Sequence, residues 1–181
     1  VFVYTNYNSA ELFVNGKSMG IQKKNNTTPQ NRYRLMWMDV KYEPGTLKVV
    51  AFNDEGEPVA EKEVKTAGKP YKIVLSPDKR TIKSNGKDLS FVEVSLVDKN
   101  GNPCPTATNQ LKFKVKGVGS FRAACNGDAT SLELFHLPTM KLFSGKLVVL
   151  VQSTDDAGSI DLQVIGKGLK SGKLKLNSTE F

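Results

Sequence analysis

Apolar and polar residues take turns one by one along much of this chain. The clearest stretch is Leu111-Lys112-Phe113-Lys114-Val115-Lys116. Successive side chains of a β-strand point to opposite faces. The pattern therefore puts Leu111, Phe113 and Val115 on one sheet face and the three lysines on the other. Phe91 to Val97 repeats it, with Val92, Val94 and Leu96 inward. No long stretch carries the 3.6-residue period of an amphipathic helix. Turn signals interrupt the alternation at Asn15-Gly16, Pro44-Gly45, Asn53 to Pro58, Ser84 to Lys87 and Asp98 to Pro103. Many short strands with frequent turns predict an all-β chain of antiparallel sandwiches.

A length of 181 residues accommodates one ordinary domain or two small ones. The segment Thr66-Ala67-Gly68-Lys69-Pro70 is short, small and ends in proline, which marks a boundary. We read two consecutive Ig-like sandwiches, residues 1–67 and 68–181. In the first, Asn15-Gly16 suits the two positive φ angles of a type I′ turn. That turn sets Leu12 opposite Met19 and Val14 opposite Lys17. Residues 22–31 read as a polar loop and Tyr33 to Tyr42 as a strand. Thr46 to Phe52 is a further strand, and Val59 to Lys65 a charged edge strand. In the second, strands are expected at 71–75, 91–97, 111–116, 131–135, 146–152, 159–165 and 172–176. The opening VFVYTN reads as a strand already under way, without a signal peptide, so the chain is expected to be a fragment. The longest aliphatic run, Leu147 to Val151, is far too short for a membrane span.

Composition removes many kinds of chemistry. There is one histidine, His136, and there are two cysteines, Cys104 and Cys125, too few for the common zinc patterns. No G-x-S-x-G elbow, G-x-G-x-x-G or phosphate loop occurs. The residues imply no cofactor and no metal. Asn126-Gly127-Asp128 reads as a tight turn rather than a calcium loop. The two thiols follow no spacing motif and leave the compartment open. The 18 acidic residues cluster in turns and on a charged strand, where no buried proton donor is expected.

The net charge of +8 is uneven. Residues 1–67 hold 9 basic and 8 acidic side chains, and residues 68–181 hold 17 and 10. The strict alternation makes the excess lysine a solvated sheet face. No aromatic residues are interleaved to stack bases, so nucleic acid is not the expected partner. The aromatic cluster Tyr33, Trp37 and Tyr42 has two readings. It is a platform for a sugar ring, or Trp37 fills a small core, which the apolar run RLMWMDV favours.

Several strings together resemble a known family. VFVYTNYNSAELFVNGKSMG, YEPGTLKVVAFNDEG and TAGKP look like the small β-domain that follows the catalytic barrel in bacterial glycoside hydrolase family 2 enzymes. IVLSPDKRTIKSNGKDLSFVEVSLVDKNGNPCPTATNQLKFKVKGVGSF and NGDATS look like the C-terminal Ig-like domain of the same enzymes, of the β-galactosidase type. The second domain also resembles the Ig-like repeats of invasin and intimin adhesins through its D-x-x-G-N-P-x-P pattern. The resemblance implies a parent enzyme acting on β-linked sugars with two glutamates on a barrel. The family's Asn-Glu pair is absent here, so no catalytic residue carries over. Ala129 stands where the family often has proline, and Cys125 where it usually has glycine. The implied role is that of non-catalytic accessory domains whose partner is the parent's barrel, in the periplasm or at the cell surface. Two alternatives stay open: a carbohydrate-binding module using Trp37, Tyr33 and Tyr42, and an Ig-like stalk of a surface adhesin.

Overall fold

The computed structural model describes residues 1–180. The chain is all-β apart from one short helix, and it divides into two compact units, Val1–Thr66 and the segment from Ala67 onward.

The first unit contains β1 (Phe2–Val3), β2 (Ser9–Val14), β3 (Lys17–Lys23), α1 (Pro29–Tyr33), β4 (Leu35–Met36), β5 (Thr46–Phe52) and β6 (Pro58–Lys65). An antiparallel sheet runs in the order β3-β2-β5-β6, and β1 pairs with β4 as a separate two-stranded ladder. Asn15 and Gly16 take φ of 49° and 81°, as the hairpin turn demands. Val14 faces Lys17 as expected, but the register shifts between Phe13 and Glu11, so that Glu11 faces Ile21. The expected Leu12–Met19 pair gives way to a bulge. Gly20 sits there at φ +87°, an angle glycine adopts without steric cost.

Alternation on β2 and β5 turns Ala10, Leu12 and Ala51 inward, where Leu35 and Trp37 complete the buried core. All of β6 is exposed, as suits an edge strand, and Lys48 pairs with Glu61 across it at 2.6 Å. The expected strand from Tyr33 to Tyr42 is corrected. Only Leu35–Met36 is extended in a ladder, because its sole partner, β1, is two residues long. The polar loop is also shorter than expected: β3 runs to Lys23, and Pro29 opens α1 with the Thr28 hydroxyl accepting from the Asn31 N–H.

The second unit contains β7 (Lys72–Pro77), β8 (Thr81–Lys83), β9 (Leu89–Val97), β10 (Gln110–Gly117) and β11 (Gly119–Cys125). It continues with β12 (Thr139–Lys141), β13 (Lys146–Ser153), β14 (Gly158–Gly166) and β15 (Gly172–Thr179). Two sheets, in the orders β12-β10-β14-β15-β8 and β11-β13-β9-β7, enclose one core; every pairing is antiparallel except β15 with β8. Leu111 and Phe113 from the first sheet share that core with Val92, Val94 and Leu96 from the second. The Phe113 and Phe121 rings stack at 5.5 Å. Three strands went unread in the sequence: β8, β11 and β12. The strand expected at 131–135 is instead part of a loop between β11 and β12. Cys104 is buried and Cys125 exposed, and both are free thiols.

The chain passes from one sheet to the other at Gly117-Val118-Gly119. Gly117 has φ +87°, and a Cβ there would lie 2.0 Å from the Ser159 carbonyl oxygen. Both backbone strain and a backbone clash oppose any side chain. Gly117→Ala is expected to destabilise the second unit by more than about 1 kcal/mol, read as a fall in its denaturant midpoint at unchanged m-value.

Candidate functional site

The β1–β4 ladder decides what lies on the surface of the first unit. Phe2 pairs with Met36 and Val3 with Leu35. The residues just after β1 therefore lie beside those just before β4. Tyr4, Thr5, Asn6, Lys24 and Tyr33 line an open hollow of about 440 Å³. Tyr4 is 70% and Tyr33 65% exposed. Arg34 donates to the Tyr4 hydroxyl at 3.3 Å, and its guanidinium lies over the Phe2 ring at 4.9 Å. Lys24 donates from Nζ to the Thr5 carbonyl, and Arg32 approaches the Tyr33 ring at 6.0 Å. Two amphipathic rings beside an amide and an ammonium can offer ring faces to C–H groups and hydrogen bonds to hydroxyls.

The three aromatics singled out in the sequence are not brought together there. Trp37 is only 4% exposed, and its indole N–H donates to the Gly20 carbonyl, at the β3 bulge, at 3.0 Å. Its ring is packed among Leu12, Leu35 and Ala51, so no face is free for a ligand. Tyr42 is 78% exposed, with its hydroxyl 3.3 Å from Thr66 Oγ1, and is not among the residues lining the hollow. Tyr33 alone of the three lines it. Tyr4, Asn6 and Lys24 were missed, because the β1–β4 pairing that gathers them is only two residues long. The signal available was the polar-aromatic string Tyr4-Thr5-Asn6-Tyr7 following three apolar residues.

The second unit carries a different feature in the loop at 126–138. Leu132 is 95% exposed, and Leu134, Phe135 and Leu137 are also exposed. The loop is nevertheless well fastened. The Ala124 N–H donates to the Phe135 carbonyl, the Phe113 N–H to the Pro138 carbonyl and the Lys141 N–H to the Glu133 carboxylate. Asn126 donates to the Lys141 carbonyl, and Asp128 accepts from the Thr130 N–H and hydroxyl, which hold its carboxyl below the usual range. The Asn-Gly-Asp turn is thus occupied with its own loop. His136 sits exposed within it.

Asp98 is the buried carboxylate among the described residues. It accepts from the N–H groups of Gly68, Asn100 and Asn102 and from the Asn102 side chain, at 2.8–3.0 Å. These donors, Gly68 foremost, hold its pKa down to about 2. That is the reverse of what a proton-donating acid needs. The D-x-x-G-N-P string thus builds a carboxylate anchor that ties its turn to the start of the unit. A depressed folded pKa means stability that is present above the unfolded value of about 4 and lost as pH falls toward 2. Asp98→Asn is expected to lower the melting temperature by several degrees at pH 7 and to flatten its fall between pH 4 and 2. Circular dichroism melts across that range check it; an unchanged slope would exclude Asp98 as the linked group.

The fold defines a tandem of β-domains, the second an Ig-like sandwich. Residues 73–175 match the family model for glycoside hydrolase family 2 C-terminal domain 5, and residues 1–60 match a domain of unknown function (DUF4982). The chain belongs to glycoside hydrolase family 2, as part of its C-terminal region. It is 41% identical over 178 residues to the beta-galactosidase BoGH2A of Bacteroides ovatus, covering 98% of this chain and 20% of that protein. It is 26% identical to a beta-glucuronidase of Formosa agariphila, covering 98% of this chain and 18% of that one. The crystal structure of a family 2 member from Bacteroides cellulosilyticus superposes with a TM-score of 0.91 at 31% identity, over 99% of this chain and 22% of that one. The chain thus spans about a fifth of the length of the relatives it matches.

Proposed function

We propose that these two units are a non-catalytic accessory region of a β-galactosidase-like family 2 enzyme. They pack against the remainder of the enzyme and support its catalytic domain. The observation that carries this reading is the fastened loop at 126–138. Its hydrogen bonds hold four large apolar side chains toward water, Leu132 almost wholly and Leu134, Phe135 and Leu137 by about half, so much of their apolar surface contributes nothing to the stability of their own unit. Burying one such leucine contributes about 1.5–3 kcal/mol, which makes the loop a docking element for another surface of a longer chain. The lengths of the relatives supply that longer chain. The proposed setting is the periplasm or the cell surface.

Two measurements check it. The chain by itself should turn over neither aryl β-galactosides nor aryl β-glucuronides; turnover abolished by a carboxylate substitution in this chain would overturn the reading. In an enzyme that carries these units, Leu132→Asp combined with Phe135→Asp should lower the temperature of thermal inactivation by several degrees. In the isolated chain, where Leu132 is 95% and Phe135 55% exposed, the same pair should lower the melting temperature by less than it lowers that of the enzyme. An enzyme indifferent to the pair sinks the docking role.

The Tyr4–Tyr33 hollow favours a second reading, a carbohydrate-binding module. Here calorimetry with galactosides and plant-type polysaccharides should show binding that Tyr33→Ala weakens about tenfold, the equivalent of one lost aromatic contact. Heats identical for wild type and variant would discard it.

A further inference from the structure

The sheet β12-β10-β14-β15-β8 turns a lysine-rich face to water. Lys112, Lys114 and Lys116 on β10 and Lys173 and Lys175 on β15 are all exposed. Between those strands lies β14, and the registers place them in rows. Lys114 pairs with Gln163, which pairs with Lys173; Lys116 pairs with Asp161, which pairs with Lys175. Neighbouring strands lie about 4.8 Å apart and alternate residues about 7 Å apart, so the four lysines mark the corners of a patch roughly 10 Å by 7 Å. A shallow groove of about 490 Å³ runs over this patch. Its midline is Asp161 and Gln163.

Lysines that guard against aggregation belong on sheet edges. β12 covers β10 only at residues 110–112 and β8 covers β15 only at 177–179, so Lys114, Lys116, Lys173 and Lys175 stand on stretches paired with β14 alone. Edge protection calls for lysine on each edge, but not for the alignment of the two sets in rows across β14. Five lysines against the one acid of these three strands give +4 of the second unit's +7. Like charges gathered on one face oppose each other and call for an anionic counterpart.

The chemistry of the rows narrows that counterpart. A protein partner needs apolar or aromatic anchors at the centre of its interface, and neither row offers one. Nucleobases find no aromatic ring to stack on, and a bilayer finds no apolar side chain to receive. Asp161 on the midline, 4.0 Å from the Lys175 ammonium, repels a densely charged polymer, but its carboxylate can accept hydrogen bonds from hydroxyl groups. Gln163 beside it both donates and accepts. Flanking ammonium groups with a hydroxyl-binding midline match a chain whose charges are separated by neutral hydroxylated segments. We propose that this face binds a linear acidic polysaccharide bearing carboxylate or sulfate groups. The proposal is independent of the Tyr4–Tyr33 hollow, which lies in the other unit.

Affinity electrophoresis of the 181-residue chain tests it, with polygalacturonate, heparin, a neutral galactan and duplex DNA cast into separate gels. The wild type should be retarded by polygalacturonate, heparin or both, with salt weakening the effect, and not by the galactan. Retardation by the first alone assigns carboxylate, and by the second alone sulfate. K114Q/K173Q should weaken binding at least fivefold. K17Q/K62Q, which removes the same charge from the first unit, should change it less than twofold. All four positions are exposed, and unchanged melting curves would show that the variants remain folded. No retardation by either acidic polymer, equal losses in the two variants, or DNA bound as tightly as the glycans would each overturn the proposal.

Discussion

Burial of one face of each strand between two sheets is the constraint on which the second unit rests. Leu111, Phe113, Leu162, Val164, Leu174 and Leu176 can enter the core only from β10, β14 and β15. The pleat then sends every intervening residue outward. Lysines at 112, 114, 116, 173 and 175 are therefore not independently placed. A slip of one residue would bring lysine into the core from β10 or β15 and Asp161 and Gln163 from β14, so packing of the inner face dictates the pattern of the outer one. The positions of the charges are as firmly held as the core itself.

The two units solve the problem of burial at different scales. The second encloses twenty buried apolar residues between complete sheets. The first has five, covered by one four-stranded sheet and an incomplete layer built from β1, β4 and irregular chain. In so small a core a single indole is a large part of the interior, and its N–H needs a partner before it can be buried. The β3 bulge at Gly20 supplies that partner. The irregular layer above the same core carries Tyr4 and Tyr33 at its surface. Exposed aromatic rings accumulate there because the chain has no ladder to hide them in.

What could be read from the sequence follows from this physics. Strands with one buried and one solvated face, β9, β10, β14 and β15, were legible because the core imposes alternation, and β13 was legible as the aliphatic run Leu147 to Val151. Residues 131–135 alternate equally well, Leu132 and Leu134 against Glu133, yet they join no strand ladder and both leucines are exposed. Alternation reports a face and not its covering. β11 was hidden by Gly119, Ser120, Ala123 and Ala124, small residues with weak strand preference that the sandwich accepts because Phe121 stacks on Phe113. Trp37 was legible as core from its apolar neighbours. Tyr4 was not legible as its neighbour's companion, because the link runs through a two-residue ladder between distant segments. The turn at Asp98 was evident, but the concentration of donors on its carboxylate depends on Gly68, thirty positions away.

The surfaces proposed for binding are open ones: a hollow, a fastened apolar loop and a charged sheet face. Open surfaces suit contact with large objects. A small substrate gains little from a flat patch, because too little of its surface leaves water. A polymer or a neighbouring domain gains from many weak contacts at once. The second unit separates these two uses by chemistry. Its most exposed apolar side chain, Leu132, lies in the loop at 126–138, while its charged rows carry no apolar anchor. A surface that docks permanently must desolvate cleanly, and lysine does so poorly. A surface that engages a polysaccharide reversibly is better served by charges that stay hydrated and are screened by salt. The separation of the apolar loop from the lysine rows is therefore what a unit would need to hold one partner firmly and another loosely.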